Sequence, residues 1–272
     1  MIKYVIASSL LLVGCGAEEQ NAGNPLSLYT FDCGSIEVSD LDAFSSTGDY
    51  AGQSGSLTNT CYLIRHPQGD LLWDLGLPDA LVGVGPQTEG IFTTTLERTL
   101  IEQLADIGLT AQDIEFVSIS HSHFDHSGQA ALFSESQWLV NKNEFDYMFS
   151  TDANKVQNAA FAELSNSIHT GNLDVFGDGS VMILELPGHT PGHSALQVNL
   201  TDSGPVLLTG DLYHRTESRE LKRVPRFNSD EPQTRESMDL FEMLATESGA
   251  RVIIQHEPAD VATLPKPPAF LK

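Results

Sequence analysis

Positive charge is scarce in this chain. Fourteen Lys and Arg residues stand against 37 Asp and Glu in 272 residues, a formal net charge of −23. A surface of that sign repels phosphate backbones and anionic headgroups, which argues against a nucleic-acid partner. Cysteine is scarce too, with three residues. Cys33 and Cys61 are not spaced, to each other or to other ligand types, as a metal site is. Both lie in apolar, strand-like runs, where they either pair or sit as two buried free thiols. Internal repeats and a second composition regime are absent, so nothing marks a second domain. Long apolar runs are absent except at the start, and that one, Tyr4 to Val13, is too short to span a bilayer. What remains is a globular chain long enough for one large domain with a substantial core.

The start itself, MIKYVIASSLLLVGC, places Lys3 before the apolar stretch and Gly14-Cys15 after it. That is the layout of a secretory signal. The tetrad Leu12-Val13-Gly14-Cys15 resembles a bacterial lipobox, which implies that Cys15 is acylated and becomes the new N-terminus. The expected organisation is a signal peptide over 1–15, a polar tether over 16–26 and one catalytic domain over 27–272. Membrane contact would run only through the lipid on Cys15. The resemblance implies the cell envelope, and Gly16, in place of Asp, favours the outer membrane, facing the periplasm.

Along the rest, SLYTFDCGSIEV and NTCYLIRHPQGDLLWDLG read as paired strands, with HPQGD as a turn. LPDALVGVGPQTEGIFTT reads as an ordered loop. TLERTLIEQLADIGL carries apolar residues at helical spacing, as does EPQTRESMDLFEMLATESG. IEFVSIS, SQWLVN, VMILELPGHT, SALQVNL, PVLLTGD and RVIIQHEP read as strands, and SGQAALF and KNEFDYMFSTDANKVQNAAFAELSN as helical stretches. Alternation of this kind over the whole span predicts a layered α/β domain.

HSHFDHSG, residues 121–128, holds three of the nine histidines directly after an apolar run. Imidazole and carboxylate suit zinc and similar borderline metals. Further ligand types follow other apolar runs: His189 in LPGHTPGH, Asp211 in LLTGD and His256 in IIQHEP. Strand ends meeting at one edge would gather five histidines and two aspartates, too many for one tetrahedral ion and suited to two that share a carboxylate.

The order H-x-H-x-D-H, PGHTPGH, TGD and a late His resembles the metallo-β-lactamase superfamily over roughly residues 27–272. The resemblance implies a four-layered αβ/βα sandwich. It makes His121, His123 and His189 ligands of a first metal, Asp125, His126 and His256 ligands of a second, and Asp211 the bridge. It also makes Asp74 the residue that orients the ligand loop from behind. The cofactors implied are two divalent ions, zinc first, with iron, manganese or cobalt as alternatives.

Within that superfamily, CYLIRHPQGDLLWDLGLPD, SHSHFDHSGQ, LPGHTPGH, GDLYH and IIQHEPAD are similar to the N-acyl homoserine lactonase-like group. The group implies opening of a small lactone by a hydroxide held between the ions, by a monomer or homodimer. Members of the group carry a tyrosine three residues after the bridging aspartate. Here that position is His214, with Tyr213 before it, so Asp125, Tyr213 and His214 stand as candidate proton donors. Another ester, a phosphotriester or a β-lactam is the alternative substrate, and a non-catalytic metal-binding lipoprotein is the reading of a different class. Residues 82–92 read as a wall for an acyl chain or a plain surface loop, and RTESRELKRVPR as a site entrance or a set of ion pairs. His193 reads as structural, His66 as solvated in a turn, His169 as surface, and Asn59 and Thr60 as the end of a strand.

Overall fold

Side chains two apart on a strand share a face, and here the two faces pack against different things. In the computed structural model, which describes residues 25–272, Tyr62, Ile64, Leu71 and Trp73 belong to one apolar cluster, while Leu63 and Leu72 between them belong to another. The lipobox Cys15 and nearly all of the tether lie outside the described residues.

The first sheet has eight strands: β1 (Ser27–Val38), β2 (Gly55–His66), β3 (Gly69–Trp73), β4 (Gln87–Glu89), β5 (Phe92–Thr95), β6 (Phe116–Ser118), β7 (Gln137–Asn141) and β8 (Ser165–His169). Their order is β4-β5-β1-β2-β3-β6-β7-β8, with β3, β6, β7 and β8 parallel and the others antiparallel. The second sheet joins β9 (Leu173–Asp174), β10 (Val181–Glu185), β11 (Ser194–Leu200), β12 (Gly204–Leu208) and β13 (Arg251–Ile253) in the order β13-β12-β11-β10-β9.

Three clusters define four layers. Leu28, Ile64 and Trp73 of the first sheet face Ile183, Leu196 and Val206 of the second. The outer face of the first sheet, with Phe31, Leu63 and Trp138, covers Leu100 and Leu104 of the helix Leu100–Ala105. The outer face of the second, with Leu184, Ala195 and Leu207, covers Met238, Phe241 and Ala245 of the helix Glu231–Ser248. That is the expected αβ/βα sandwich. The stretch read as an ordered loop after Asp79 also forms the β4–β5 hairpin, which extends the sheet beyond β1. SGQAALF makes a single 3-10 turn, Ala130–Phe133.

Asp70 on β3 is wholly buried beside Arg65, whose Nε donates to Asp70 Oδ2 at 2.9 Å. Burial pushes this carboxyl up to about 6, against the pull of Arg65. A carboxyl raised in the folded state favours folding most when protonated. This contribution is therefore complete below the unfolded pKa of ~3.9 and lost as pH rises through about 6. Over that window the wild type should lose up to about 3 kcal/mol relative to Asp70→Asn. Denaturant midpoints of both proteins at pH 4 and pH 7 check this, and parallel pH profiles would refute it.

Candidate metal centre

β3 and β6 run in the same direction, and β10, β12 and β13 do so in the second sheet. The chain leaving these five strands supplies Asp74, residues 121–126, His189, Asp211 and His256. All the His and Asp residues among these are buried except His123, which is half-buried. All seven residues expected to hold metals come together, in two groups. His121, His123, His189 and Asp211 form one, and Asp125, His126 and His256 the other.

Asp211 lies between them. Its Oδ1 is 2.9 Å from His256 Nε2 and 3.1 Å from His126 Nε2. Its Oδ2 is 3.4 Å from His121 Nε2 and 3.3 Å from His189 Nε2. The non-ligating nitrogens are already committed. His256 Nδ1 donates to Thr58 O at 2.7 Å, His189 Nδ1 to Asn228 Oδ1 at 3.1 Å, and His126 Nδ1 to Asp74 Oδ2 at 3.0 Å. The inward nitrogens of these rings are therefore the ones left for an ion. They meet each other and a carboxylate: His126 and His256 Nε2 are 3.1 Å apart, His121 Nε2 and His123 Nδ1 2.8 Å. Asp211 Oδ1 is buried and accepts no hydrogen bond. Acceptors facing acceptors in a buried space need a cation, so this donor set fits two metal ions.

Electrostatics point the same way. Burial pushes His126 down, but Asp211, Asp74 and Asp125 outweigh it and hold the ring well above the ordinary histidine range. His256 is raised by Asp211 and Asp125 against the same burial. Burial, with His126 beside it, keeps His121 well below that range, and burial with His189 pushes His123 to about 3. Asp211 is pushed up by burial, yet His214, His126, His256 and His121 hold it well below the carboxylate range. The second group thus gathers excess negative charge where a cation would sit.

Asp74 has φ 59°, a left-handed backbone unusual for a residue with a side chain. The strain is held by what its carboxylate accepts: Ser120 N at 2.6 Å, Gln255 Nε2 at 2.8 Å and His126 Nδ1. Gln255 in turn accepts from Gly210 N at 2.9 Å, so it ties Asp74 to the turn that carries Asp211. Asn59, read as a strand end, donates to Asp125 O at 2.7 Å. Neither role had a local signal, since each contact is long-range. His193 is structural as expected: its Nδ1 donates to Leu186 O and its Nε2 accepts from Asp211 N.

Of the three candidate proton donors, two reach the site. His214 Nε2 lies 2.9 Å from Asp211 Oδ2, and its ring stacks on His256. Tyr213 does not reach it. Its ring packs among Leu212, Phe241 and Met238, and its hydroxyl donates to Glu242 Oε1 at 3.0 Å. The extended backbone at Tyr213 sends successive side chains to opposite sides, and the metals lie on the side of His214. His66 is also corrected. It is buried, stacked on Phe176 and 3.0 Å from Asp178, because a loop more than a hundred residues away folds over the turn. His169 is half-buried rather than on the surface.

A cavity of about 250 Å³ opens onto the metal groups. His123, Asp125, Asp211, His214 and His256 line it together with Phe44, Phe92, Phe124 and Phe227, and Phe44 packs against the His214 ring. Residues 82–92 contribute only Phe92; Val84 and Gly83 are exposed. All five cations of RTESRELKRVPR pair with acids: Arg215 with Glu217, Arg219 with Glu242, Lys222 with Asp239, Arg223 with Asp49 and Arg226 with Asp42. A larger cavity of about 470 Å³, between β1, β2 and the segment around Lys266, contains no metal-group residue.

Comparison with known proteins agrees with this geometry. A family model described as the metallo-beta-lactamase superfamily matches residues 55–256. An N-acyl homoserine lactonase AttM from Rhizobium radiobacter is 27% identical over 227 residues, covering 77% of this chain and 85% of that protein. An N-acyl homoserine lactonase from a Bacillus species is 30% identical over 171 residues, 59% of this chain and 66% of that protein. A solved N-acyl homoserine lactone hydrolase, with the product N-hexanoyl-L-homoserine at its catalytic metal centre, superposes with a TM-score of 0.79 at 24% identity, over 91% of this chain and all of that one.

Proposed function

The chain belongs to the metallo-β-lactamase superfamily, and from that premise we propose that it is a dinuclear metal hydrolase that opens the lactone ring of N-acyl homoserine lactones. One observation carries the reading. Seven metal-donor residues come together in two groups, and four of them, His123, Asp125, Asp211 and His256, line a cavity that four phenylalanines also line. That is a place for a small polar head at the metals and an apolar tail along the rings. The relatives that cover most of this chain are named as lactonases of that substrate.

Two divalent ions, zinc first by the N and O donor set, would supply an acidified water and a positive field for the carbonyl oxygen. His121, His123 and His189 would hold one, Asp125, His126 and His256 the other, and Asp211 both. Burial depresses His214, and its neutral ring donates Nε2–H to Asp211 Oδ2 at 2.9 Å, so at the cavity wall it holds the carboxylate that both ions would share. Asp125, at the cavity wall, can carry a proton to the leaving oxygen. The phenylalanines exclude water from the tail side.

We place the protein in the cell envelope, anchored through Cys15. The lipobox-like start and a Cys33–Cys61 disulfide, which belongs to oxidising compartments, support that placement.

The test is hydrolysis of N-hexanoyl and N-decanoyl homoserine lactone by the tether-free protein, with metal content measured on the same sample. Turnover with about two metals per chain and a preference set by tail length is the expected outcome. Two metals without turnover on either lactone would remove the substrate assignment and move the search to other esters, phosphotriesters and β-lactams.

A further inference from the structure

Glu144 lies in the first turn of the helix Lys142–Met148, a position where an acid ordinarily faces water. Here it is 2% exposed. Its Oε1 accepts from Ser122 N at 2.8 Å and Ser122 Oγ at 2.7 Å. Its Oε2 accepts from Thr190 Oγ1 at 2.7 Å and Gly192 N at 3.0 Å. Ser122 stands between His121 and His123, and Thr190 follows His189. One carboxylate thus joins the two loops that carry all three histidines of the first metal group. The approach is close: a Cβ on Gly192 would lie 2.1 Å from Glu144 N. The second group has other supports, namely Asp74, Asn59 and Thr58.

We propose that Glu144 is the positioning residue of the first metal's histidine triad, setting the affinity of that site and not of the second. A fully satisfied buried carboxylate fixes its four donors in one arrangement, and outer partners of metal ligands typically govern affinity by about 10–100-fold. Glutamine cannot replace it. Whichever way its amide is turned, an NH2 group meets a backbone N–H, that of Ser122 or that of Gly192.

The inference rests on the two-metal reading, and the experiment separates the two. Metal-free wild type, Glu144→Gln and Thr190→Val are titrated with Co2+, followed by visible absorption and by competition with a chelator. Wild type is expected to bind two ions; if it binds one, the two-metal reading fails. Glu144→Gln should weaken one site by about 10–100-fold and change its absorption bands, with the other site unmoved. Thr190→Val, which removes one donor and no charge, should weaken the same site less and carries the test if Glu144→Gln does not fold. Equal weakening of both sites, or of neither, would overturn the proposal.

Discussion

Asp211→Ala is expected to lower bound metal from about two ions per chain to less than one, and kcat/KM on a lactone by at least about a thousandfold. Each oxygen of this carboxylate serves a different group: Oδ1 stands at His126 and His256, Oδ2 at His121 and His189. Alanine leaves five imidazoles converging with Asp125 as the one anion among the metal donors, so each ion would lose a ligand and a share of negative charge at once. The magnitude follows from the chemistry that goes with the ions, since bound water falls in pKa from ~15.7 toward ~7 and that nucleophile disappears with them. The fold should survive. The backbone N–H of residue 211 still has His193 Nε2 as its acceptor, and the layers do not depend on the side chain. Elemental analysis, lactone turnover and thermal melting on one preparation check all three statements. Retention of two metals with turnover within tenfold of wild type would sink the bridging assignment.

Asp211 was legible in the sequence because it follows an apolar strand in a short turn, as do His121, His189 and His256. A ligand placed directly after its strand needs only the strand to be read correctly. Residues that act across the fold gave no such signal. Gln255 reaches Asp74 over 181 positions, and Asn59 reaches Asp125 over 66. Glu144 reads as an ordinary helix acid, and only the folded chain shows its four donors. The cavity wall is similar: Phe44, Phe92, Phe124 and Phe227 come from four separate segments, and only residues 82–92, which end at Phe92, read as an acyl-chain wall in the sequence. Tyr213 and His214 show a third kind of difficulty. Which of two adjacent side chains faces the metals depends on the rotation of one turn, and one residue of register reverses the answer.

That leaves the two cysteines, which composition left open between a pair and two thiols. The structure joins them, with Cα atoms 5.8 Å apart across β1 and β2. Replacing both with alanine is expected to lower stability by about 3–4 kcal/mol, the chain-entropy value for a loop of this length, and to lower Tm by about 7–14 °C. The bridge is fully buried. It also lies against the turn that holds the metal loop. Gly76, at φ 62°, follows Asp74 by two residues, and a Cβ there would be 2.6 Å from Cys33 Cβ and 3.1 Å from Cys61 Sγ. From the same turn Leu75 N donates to His126 O at 2.8 Å, and Gly76 O accepts from Gly128 N at 2.8 Å. Those bonds and the grip of Asp74 on His126 remain when the bridge goes, so activity at 25 °C should stay within a few-fold of wild type while the melting point falls. Melting of the Cys33→Ala, Cys61→Ala double variant beside the oxidised wild type decides it. A change under about 2 °C would mean that the β1–β2 ladder, not the bridge, holds this part of the sheet, and a loss of turnover equal to that of Asp211→Ala would mean that the turn at Asp74 depends on the bridge for its shape.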